Sequence, residues 1–325
     1  MNLLGIDIGG TKCAVIYGKE ENGQIEVVGK IRFATTQVDD TLAHIEESLK
    51  TLMSRHALHA GNIAAAGISC GGPLDSKKGL VQSPPNLPGW DNIPIVDIIR
   101  KCTGVPTGLQ NDANACALAE YKYGAGRGCQ NMVFLTFGTG LGAGIIINGK
   151  LYSGTNDNAG ELGHIRLAHD GPIGYGKKGS FEGFCSGGGI AQLAKAAVTE
   201  AYERGDTVAW CRKSDISKLT AQVVAQEAQA GDTLAQSIFR TSSEYLGMGL
   251  SMVVDILNPE VIVIGSIYAR NEAMMRPVMD EILKREALPG AYQVAHVVPA
   301  LLGEQIGDYA SLSVASATYT QTTAI

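Results

Sequence analysis

Residues 3–16 read LLGIDIGGTKCAVI, and residues 133–146 read VFLTFGTGLGAGII. Each stretch consists of an apolar strand, a turn of glycine and threonine, and a second apolar strand. Glycine supplies the positive φ angles that tight turns between strands need. Because the Gly-Thr turns match as well as the strands, an internal duplication explains the pair better than chance does. The sequence therefore predicts a duplicated chain with one such hairpin in each half.

The rest of the chain alternates strand and helix patterns. Leu42, Ile45, Leu49 and Leu52 recur at helical spacing. Strands are also predicted at 25–33, 63–69, 105–109, 261–264 and 294–298, and helices at 190–202, 220–230, 234–257 and 306–325. We expect a smaller N-terminal α/β domain at residues 1–115 and a larger C-terminal α/β domain at 116–325. Whether the closing helix packs back on the first domain is left open.

Composition and charge narrow the classes of partner. The net charge of −6 disfavours a nucleic acid or an anionic membrane, because both attract a basic surface. The seven cysteines lie at least thirteen residues apart and form no CxxC pair, which is typical of reduced cytoplasmic thiols. The start, MNLLGIDIGG, has no basic segment and enters a strand at once, so no signal peptide is expected. We expect a cytoplasmic protein without nucleic-acid or membrane partners.

The first glycine turn, Asp7 to Lys12, offers groups for a phosphate and a metal ion. A carboxylate at the end of a strand, such as Asp7, can hold a hydrated Mg²⁺ ion. Gly9 and Gly10 allow the backbone to approach a phosphate, and Thr11 adds N–H and hydroxyl donors. An ordinary hairpin with a solvated aspartate would use the same residues, so this motif alone is moderate evidence.

The second glycine turn imitates a dinucleotide-binding fingerprint, because Gly138, Gly140 and Ala143 fit the pattern GxGxxA. That fingerprint requires a following helix, whereas the strand pattern 145–147 follows here. The sequence also contains no GxxxxGK[ST] phosphate loop. Two Gly-Thr hairpins, one from each half, can instead face each other and clamp a triphosphate.

Two further groups of polar residues are candidates for chemistry. Asp112 follows the predicted strand 105–109 and begins a helix, where Asp is a common N-cap. At such a junction the carboxylate can also take a proton from an attacking hydroxyl. Glu161 and His164, three residues apart, can join Glu182 in a polar pocket for a ligand with several hydroxyl groups. Taken alone, His164 can be a satisfied core or surface residue, and each glutamate can lie on a solvated face.

Taken together and in order, these motifs resemble the ROK family (repressors, uncharacterised reading frames and sugar kinases). The matching segments are GIDIGGTK at 5–12, SPPNLPGW at 83–90, NDANACALAE at 111–120, FGTGLGAG at 137–144 and ELGH at 161–164. The resemblance covers nearly the whole chain. It implies an actin/hexokinase-like (ribonuclease H-like) duplicated fold, with two α/β domains around a cleft for ATP and a sugar.

The resemblance also implies a role for each matching residue. Asp112 is expected to be the general base that activates the 6-hydroxyl of a hexose, with ATP and Mg²⁺ as cofactors and a homodimer as the assembly. The expected sugar ligands are Asn86, Asn111, Glu161, His164 and Glu182. The expected ATP-binding residues are Asp7, Gly9, Gly10, Thr11, Lys12, Gly138, Thr139, Gly140 and, in the adenosine pocket, Gly265.

The sequence departs from the family pattern at two places. Kinases of this family usually bind structural zinc with three cysteines after the histidine, but Ile173, Tyr175 and Ser180 stand at those positions. Because structural zinc sites usually have four Cys or His ligands, we expect no zinc here. The segment VIGSI at 263–267 shows one glycine, Gly265, where the family commonly shows two or three, which weakens the adenosine-pocket assignment.

Several functions remain open at this stage. Glucose is the first expected substrate, and N-acetylglucosamine, N-acetylmannosamine, fructose and allose kinases share these motifs. A sugar-sensing regulator on the same fold is the non-enzymatic alternative. The presence of Asp112 and both glycine turns argues against a sensor, which needs neither. An ATPase of the acetate-kinase or heat-shock type is disfavoured by the ELGH segment and Glu182.

Overall fold

The described part of the chain, residues 1–323 of a computed structural model, alternates strands and helices. The strands are β1 (Asn2–Ile8), β2 (Lys12–Glu21), β3 (Gln24–Ala34), β4 (Ile63–Cys70), β5 (Leu74–Asp75), β6 (Leu80–Val81), β7 (Thr107–Asn111), β8 (Met132–Leu135), β9 (Ala143–Ile147), β10 (Lys150–Tyr152), β11 (Ile173–Gly174), β12 (Lys177–Lys178), β13 (Val261–Ile264) and β14 (His296–Pro299). The helices are α1 (Val38–Arg55), α2 (Ile95–Thr103), α3 (Asp112–Tyr123), α4 (Phe181–Phe184), α5 (Gly187–Glu203), α6 (Ala221–Gln229), α7 (Thr233–Leu257), α8 (Ser266–Glu286), α9 (Pro289–Tyr292) and α10 (Ile306–Thr323). Short 3-10 helices cover Leu162–His164, Lys213–Lys218 and Gly303–Gln305.

The first sheet has the strand order β3-β2-β1-β4-β7. β1, β2 and β3 pair antiparallel, whereas β4 and β7 run parallel to β1. Side chains alternate between the two faces of a strand, and both faces of β1 are covered. Leu4 and Ile6 belong to the core that α1 and α2 complete. Leu3 belongs to the core on the side of α10, which explains the continuous apolar run of β1.

The second sheet repeats this arrangement, with the order β10-β9-β8-β13-β14. β9 and β10 form an antiparallel hairpin, and β13 runs parallel to both β8 and β14. In each sheet, three strands that follow one another along the chain lie side by side, β1 to β3 in the first sheet and β8 to β10 in the second. Two parallel strands then extend the sheet beside β1 and beside β8. The duplication predicted from residues 3–16 and 133–146 is therefore present in the strand order.

Helix α10 lies against the first sheet at very close range. A Cβ atom on Gly67 of β4 would overlap the backbone of Ser311 and Ala315 in α10. Only glycine leaves room for a helix backbone at this distance. The predicted closing helix 306–325 is described as far as Thr323, and residues 324 and 325 lie outside the described residues.

The chain divides into two compact units. The first contains Met1–Gln130, Gly144–Ala159 and the residues from Leu301 onward, and the second contains Asn131–Ala143 and Gly160–Ala300. This division does not coincide with the boundary predicted at residue 115. Residues 116–130 group with the first unit because α3 packs against α10.

Most predicted elements are present, with shifts that have local causes. The strand predicted at 105–109 is β7, Thr107–Asn111, which begins after Pro106 because proline has no N–H to donate. The strand predicted at 294–298 is β14, His296–Pro299, because the N–H of Val294 closes a turn onto the carbonyl of Ala291. Helix α8 was not predicted, and it contains Pro277. No helix within residues 1–323 has both the length and the apolar character that a membrane span requires.

Candidate active site

The first glycine turn joins β1 to β2 in the first unit. The N–H of Gly9 donates to the carbonyl of Lys12 at 3.1 Å, and the hydroxyl of Thr35 donates to the carbonyl of Gly9 at 2.6 Å. A Cβ on Gly10 would lie 2.6 Å from the carbonyl oxygen of Asn86. The structure thus places Asn86, an expected sugar ligand, against the expected phosphate turn. The side chain of Asn86 has no hydrogen-bond partner among residues 1–323, so its amide is available to a ligand.

Asp7, the next-to-last residue of β1, has a carboxylate that forms no ion pair with any described residue. Burial and, to a smaller extent, the nearby charge of Asp308 raise the pKa of Asp7 to about 6, although Lys30 and Lys12 act in the opposite direction. Lys30 itself forms an ion pair with Asp308. Sequence reasoning missed Asp308, which opens α10 about 300 residues after Asp7.

A Mg²⁺ ion would fit at Asp7, because a cation would stabilise a carboxylate that its surroundings otherwise push toward the neutral form. No group of three His, Cys, Asp or Glu residues suited to a metal ion occurs within residues 1–323. The ion would therefore be held by Asp7 together with water and substrate phosphates, which is the usual arrangement for Mg²⁺.

Asn111 and Asp112 stand at the junction of β7 and α3. Asn111 is the N-cap, since its Oδ1 accepts from the N–H of Asn114 at 2.7 Å. The Oδ1 of Asp112 accepts from the N–H of Ala113 at 2.8 Å. The capping role that could have explained Asp112 thus belongs to Asn111. The side-chain oxygen of Asn111 is used for the cap, whereas its side-chain N–H₂ group has no partner among the described residues.

The electrostatic setting of Asp112 suits a base. Its side chain is exposed, yet the surrounding protein atoms raise its pKa by desolvation, and the hydrogen bond from Ala113 partly opposes this. Asp112 also adds to the rise in the pKa of Asp7, so the two carboxylates lie within electrostatic reach. The structure therefore brings Asp7 and Asp112 together in the first unit, and separately brings Gly10 and Asn86 together.

The second glycine turn lies in the second unit at the mouth of a cavity of about 850 Å³. The turn is closed by the N–H of Gly138, which donates to the carbonyl of Gly140 at 3.1 Å. The N–H of Gly187, at the start of α5, donates to the carbonyl of Gly138 at 2.8 Å. The cavity is lined on this side by Gly138, Thr139, Gly187, Gly188, Ser266 and Arg270. The positive ends of the helix dipoles at the starts of α5 and α8 favour an anion on this side of the cavity.

The far wall of the cavity is rich in amide side chains. Gln222, Gln226 and Gln229 line it from one face of α6, and Asn271 lines it from α8. Gln229 donates to the Oδ1 of Asn271 at 2.8 Å. Sequence reasoning missed these residues, although the spacing of the three glutamines places them on one helix face. Gly265 is the N-cap of α8 and does not line the cavity, unlike Ser266 and Ile267 beside it.

The remaining expected sugar ligands lie in the second unit. Glu161 precedes the 3-10 helix Leu162–His164, and the N–H of His164 donates to the carbonyl of Glu161 at 3.1 Å. Both side chains are exposed. The Oε2 of Glu182 accepts from the N–H of Leu141 at 3.0 Å, in the second glycine turn. Glu182 thus contacts a segment that sequence reasoning assigned to the nucleotide.

The 173–180 loop, residues Ile173 to Ser180, does not suit structural zinc. Its side chains at the three zinc positions offer no thiolate, and Cys185 is buried with its thiol directed at the carbonyl of Ser242, 3.4 Å away. Burial raises the pKa of the Cys185 thiol, which keeps it protonated. No step of the chemistry is therefore assigned to zinc.

Protein contacts hold the 173–180 loop instead. Gln192 of α5 accepts from the N–H of Ile173 at 2.9 Å and donates to its carbonyl at 2.8 Å. The Nζ of Lys177 donates to the carbonyl of His164 at 2.7 Å. The ring of Tyr175 meets the ring of His164 edge to face, with 6.3 Å between centroids. These contacts link the loop to His164 and to α5 without a metal ion.

Comparison with known proteins matches residues 3–317 to the ROK family. The glucokinase of Halalkalibacterium halodurans is 32% identical over 310 residues, which are 94% of this chain and 92% of the relative. The N-acetylmannosamine kinase of Shigella flexneri is 36% identical over 206 residues, which are 63% of this chain and 68% of the relative.

Solved structures give the same result for the fold. A ROK family glucokinase from Streptomyces griseus, in complex with glucose and AMPPNP, has a TM-score of 0.76 and 28% identity, covering 98% of this chain and 100% of that chain. A ROK family transcriptional regulator, a homologue of the E. coli MLC protein, has a TM-score of 0.83 and 25% identity, covering 98% of this chain and 78% of that chain. The chain therefore belongs to the ROK family and has the duplicated, actin/hexokinase-like α/β fold that its sequence predicted.

Proposed function

We propose that this protein is an ATP-dependent hexose kinase that phosphorylates the 6-hydroxyl of glucose or a related sugar, with Asp112 as the general base. The observation that carries the proposal is the state of Asp112. It is an exposed carboxylate with a raised pKa, at a helix start that another residue caps, and within electrostatic reach of Asp7. Neither helix capping nor an ion pair with a described residue explains why an aspartate stands at this position.

The chemistry follows from these residues. Asp112, in its charged form, accepts the proton of the sugar hydroxyl as that oxygen attacks the γ-phosphate. Backbone N–H groups of the glycine turns, with Thr11 and Thr139, are assigned to stabilise the negative charge that develops on the transferred group. Mg²⁺ held at Asp7 would supply charge neutralisation at the phosphates. Activity is expected to fall at acid pH, because Asp112 then becomes protonated. This fall should occur at a higher pH than for an ordinary aspartate, because the pKa of Asp112 is raised.

The nucleotide is assigned to the cavity in the second unit. Its volume of about 850 Å³ is ample for a nucleoside, and one wall carries the start of α5 beside Gly138 and Thr139. The related glucokinase of Streptomyces griseus forms a complex with glucose and AMPPNP, an analogue of ATP, which supports both substrates for this chain. Cytoplasmic location and a homodimer remain part of the proposal.

Glucose is the preferred substrate because glucokinases match nearly the full chain, whereas the N-acetylmannosamine kinase matches a shorter part of it. The decisive experiment is a panel of glucose, fructose, allose, mannose, N-acetylglucosamine and N-acetylmannosamine, assayed for ADP release with ATP and Mg²⁺. A rate of ADP release that is much higher with glucose than with the other sugars supports the proposal. A higher rate with an N-acetylhexosamine would show that this sugar, and not glucose, is the substrate.

A sugar-sensing regulator is the second candidate, favoured by the structural likeness to a ROK transcriptional regulator. It predicts that a sugar binds, measured by calorimetry, while no member of the panel yields ADP. Sugar binding without ADP release would overturn the proposal that this protein is a kinase.

A further inference from the structure

Glu182 lies where three separate segments of the second unit meet. A Cβ on Gly174, in the 173–180 loop, would lie 2.7 Å from the Cβ of Glu182. A Cβ on Gly163, in the ELGH segment, would lie 3.2 Å from the same atom. A Cβ on Gly140, in the second glycine turn, would lie 2.7 Å from its Oε2. The side chain therefore runs through a passage that glycines leave open on three sides.

The backbone of Glu182 is fixed, so its carboxylate is the part that can respond to a ligand. Glu182 lies in α4, where the hydroxyl of Ser180 caps the helix by accepting from Gly183 at 3.1 Å. Phe181 is fully buried, and Phe184 stacks on Tyr245 with 3.4 Å between ring centroids. These anchors hold the Cα of Glu182 and leave the rotation of the carboxylate as its main freedom.

The two carboxylate oxygens have different surroundings. Oε2 accepts from the N–H of Leu141 at 3.0 Å, a charge-assisted hydrogen bond to the second glycine turn. Oε1 has no hydrogen-bond partner among residues 1–323. The same turn carries Gly138 and Thr139 to the wall of the cavity assigned to the nucleotide.

We propose that Glu182 is a positioning residue that couples the two substrates, with Oε2 holding the nucleotide turn while Oε1 accepts a sugar hydroxyl. This inference rests on the proposed function for the sugar contact. A sugar hydroxyl on Oε1 fixes the rotation of the carboxylate and so strengthens its hold on Leu141. Coupling of this kind is reciprocal, because each ligand must raise the affinity for the other by the same factor.

The first test measures the hold itself and requires no sugar. Gly140→Ala adds a methyl group that pushes Oε2 away from Leu141, and Glu182→Ala removes the carboxylate. We expect each single variant to weaken the binding of AMPPNP, measured by calorimetry. The affinity of the double variant should equal that of the single variant with the lower affinity, because both changes break the same contact. Losses that multiply in the double variant would show that the two residues act independently and would overturn the inference.

The second test measures coupling with glucose. In the wild type, saturating glucose is expected to tighten AMPPNP binding by roughly 5-fold or more, the lower end of common coupling factors. Gly140→Ala is expected to reduce this factor to about one. Gly290→Ala is the control for this coupling factor, because it adds a methyl group elsewhere in the second unit with nothing within 4 Å and leaves Glu182 in place.

The outcomes separate the inference from the proposed function. A wild type that releases ADP with glucose, but whose coupling factor is the same in Gly140→Ala, would overturn the coupling and keep the kinase. A wild type that releases no ADP with any sugar would overturn the kinase, while the sugar-free cycle would still decide whether Glu182 holds the turn.

Discussion

At the residue scale, Asp7 carries a charge that its surroundings oppose. Burial and the neighbouring carboxylate of Asp308 raise its pKa from 3.8 to about 6. A carboxylate whose pKa is raised on folding lowers stability once the pH exceeds its unfolded value, and the full cost is reached above its folded value. Such a cost is expected at a residue kept for binding a cation and not for packing.

Asp7→Asn is therefore expected to stabilise the protein at pH 7.5 in the absence of Mg²⁺ and nucleotide. The shift of about two pH units sets an upper limit of about 3 kcal/mol on the gain in unfolding free energy. The gain should nearly disappear at pH 4, which lies close to the unfolded pKa of 3.8 and well below the folded value. Urea unfolding at both pH values measures it, and an Asn variant that is less stable at pH 7.5 would contradict this account of Asp7.

Residues differ in how well the sequence could predict their place. Asp7 and Asp112 belong to short motifs with fixed spacing, so their region of the fold followed from the motifs. Asp308 is a lone aspartate at a helix start, which has no local signature, and it meets Asp7 only because α10 folds back on the first sheet. The cap at Asn111 was also hidden, because Asn and Asp stand side by side and either can cap a helix.

At the element scale, the 173–180 loop shows how a segment can be held in place by protein contacts alone. Its strands β11 and β12 pair, and the flanking contacts come from Gln192, Lys177 and Arg166, whose guanidinium donates to the carbonyl of Lys178 at 2.7 Å. The sequence shows no cysteine at the expected zinc positions, but it could not predict these contacts, since each joins residues from different elements.

We expect the protein to need no zinc for stability. Treatment with EDTA should leave the melting temperature unchanged, and elemental analysis should find no stoichiometric zinc, because His164 stands without the three other ligands that structural zinc usually has. One zinc per chain in the purified protein would contradict this expectation.

Gln192→Ala should loosen the 173–180 loop, because it removes both hydrogen bonds to Ile173. We expect faster proteolysis within the loop and a higher KM for sugar, with the KM for ATP nearly unchanged. Gln236→Ala is the matched control, since it removes an amide hydrogen bond, to Ala228, at another place in the second unit. Equal effects of the two variants on the sugar KM would show that the loop contacts do not matter for the sugar.

At the scale of the whole molecule, duplication and the return of α10 determine the fold. The presence of one hairpin in each half could be predicted, because the apolar runs and turn residues recur in both halves. The division into two units could not be predicted from the sequence, since it depends on which helices pack together. Helix α8 escaped prediction because it contains Pro277 and breaks its helical φ and ψ angles at Asn271.

Gly67→Ala should destabilise the protein by displacing α10 from the first sheet, because the new methyl group would overlap helix backbone, which cannot rotate away. We expect a loss of about 2–3 kcal/mol or more in unfolding free energy. Gly290→Ala is the control, since nothing lies within 4 Å of its added Cβ. Equal unfolding midpoints for the two variants would show that α10 does not pack as described.

The central claim is that Asp112 activates the sugar hydroxyl, and the most direct test is the ratio of kcat for wild type and Asp112→Asn with glucose and ATP. We predict a fall of about 100-fold or more, with the Kd for glucose within a few-fold of wild type and an unchanged melting temperature. Asp40→Asn, which alters an exposed aspartate in the first turn of α1, should keep full activity. A kcat for Asp112→Asn within a few-fold of wild type, in a folded protein that binds glucose, would contradict the claim.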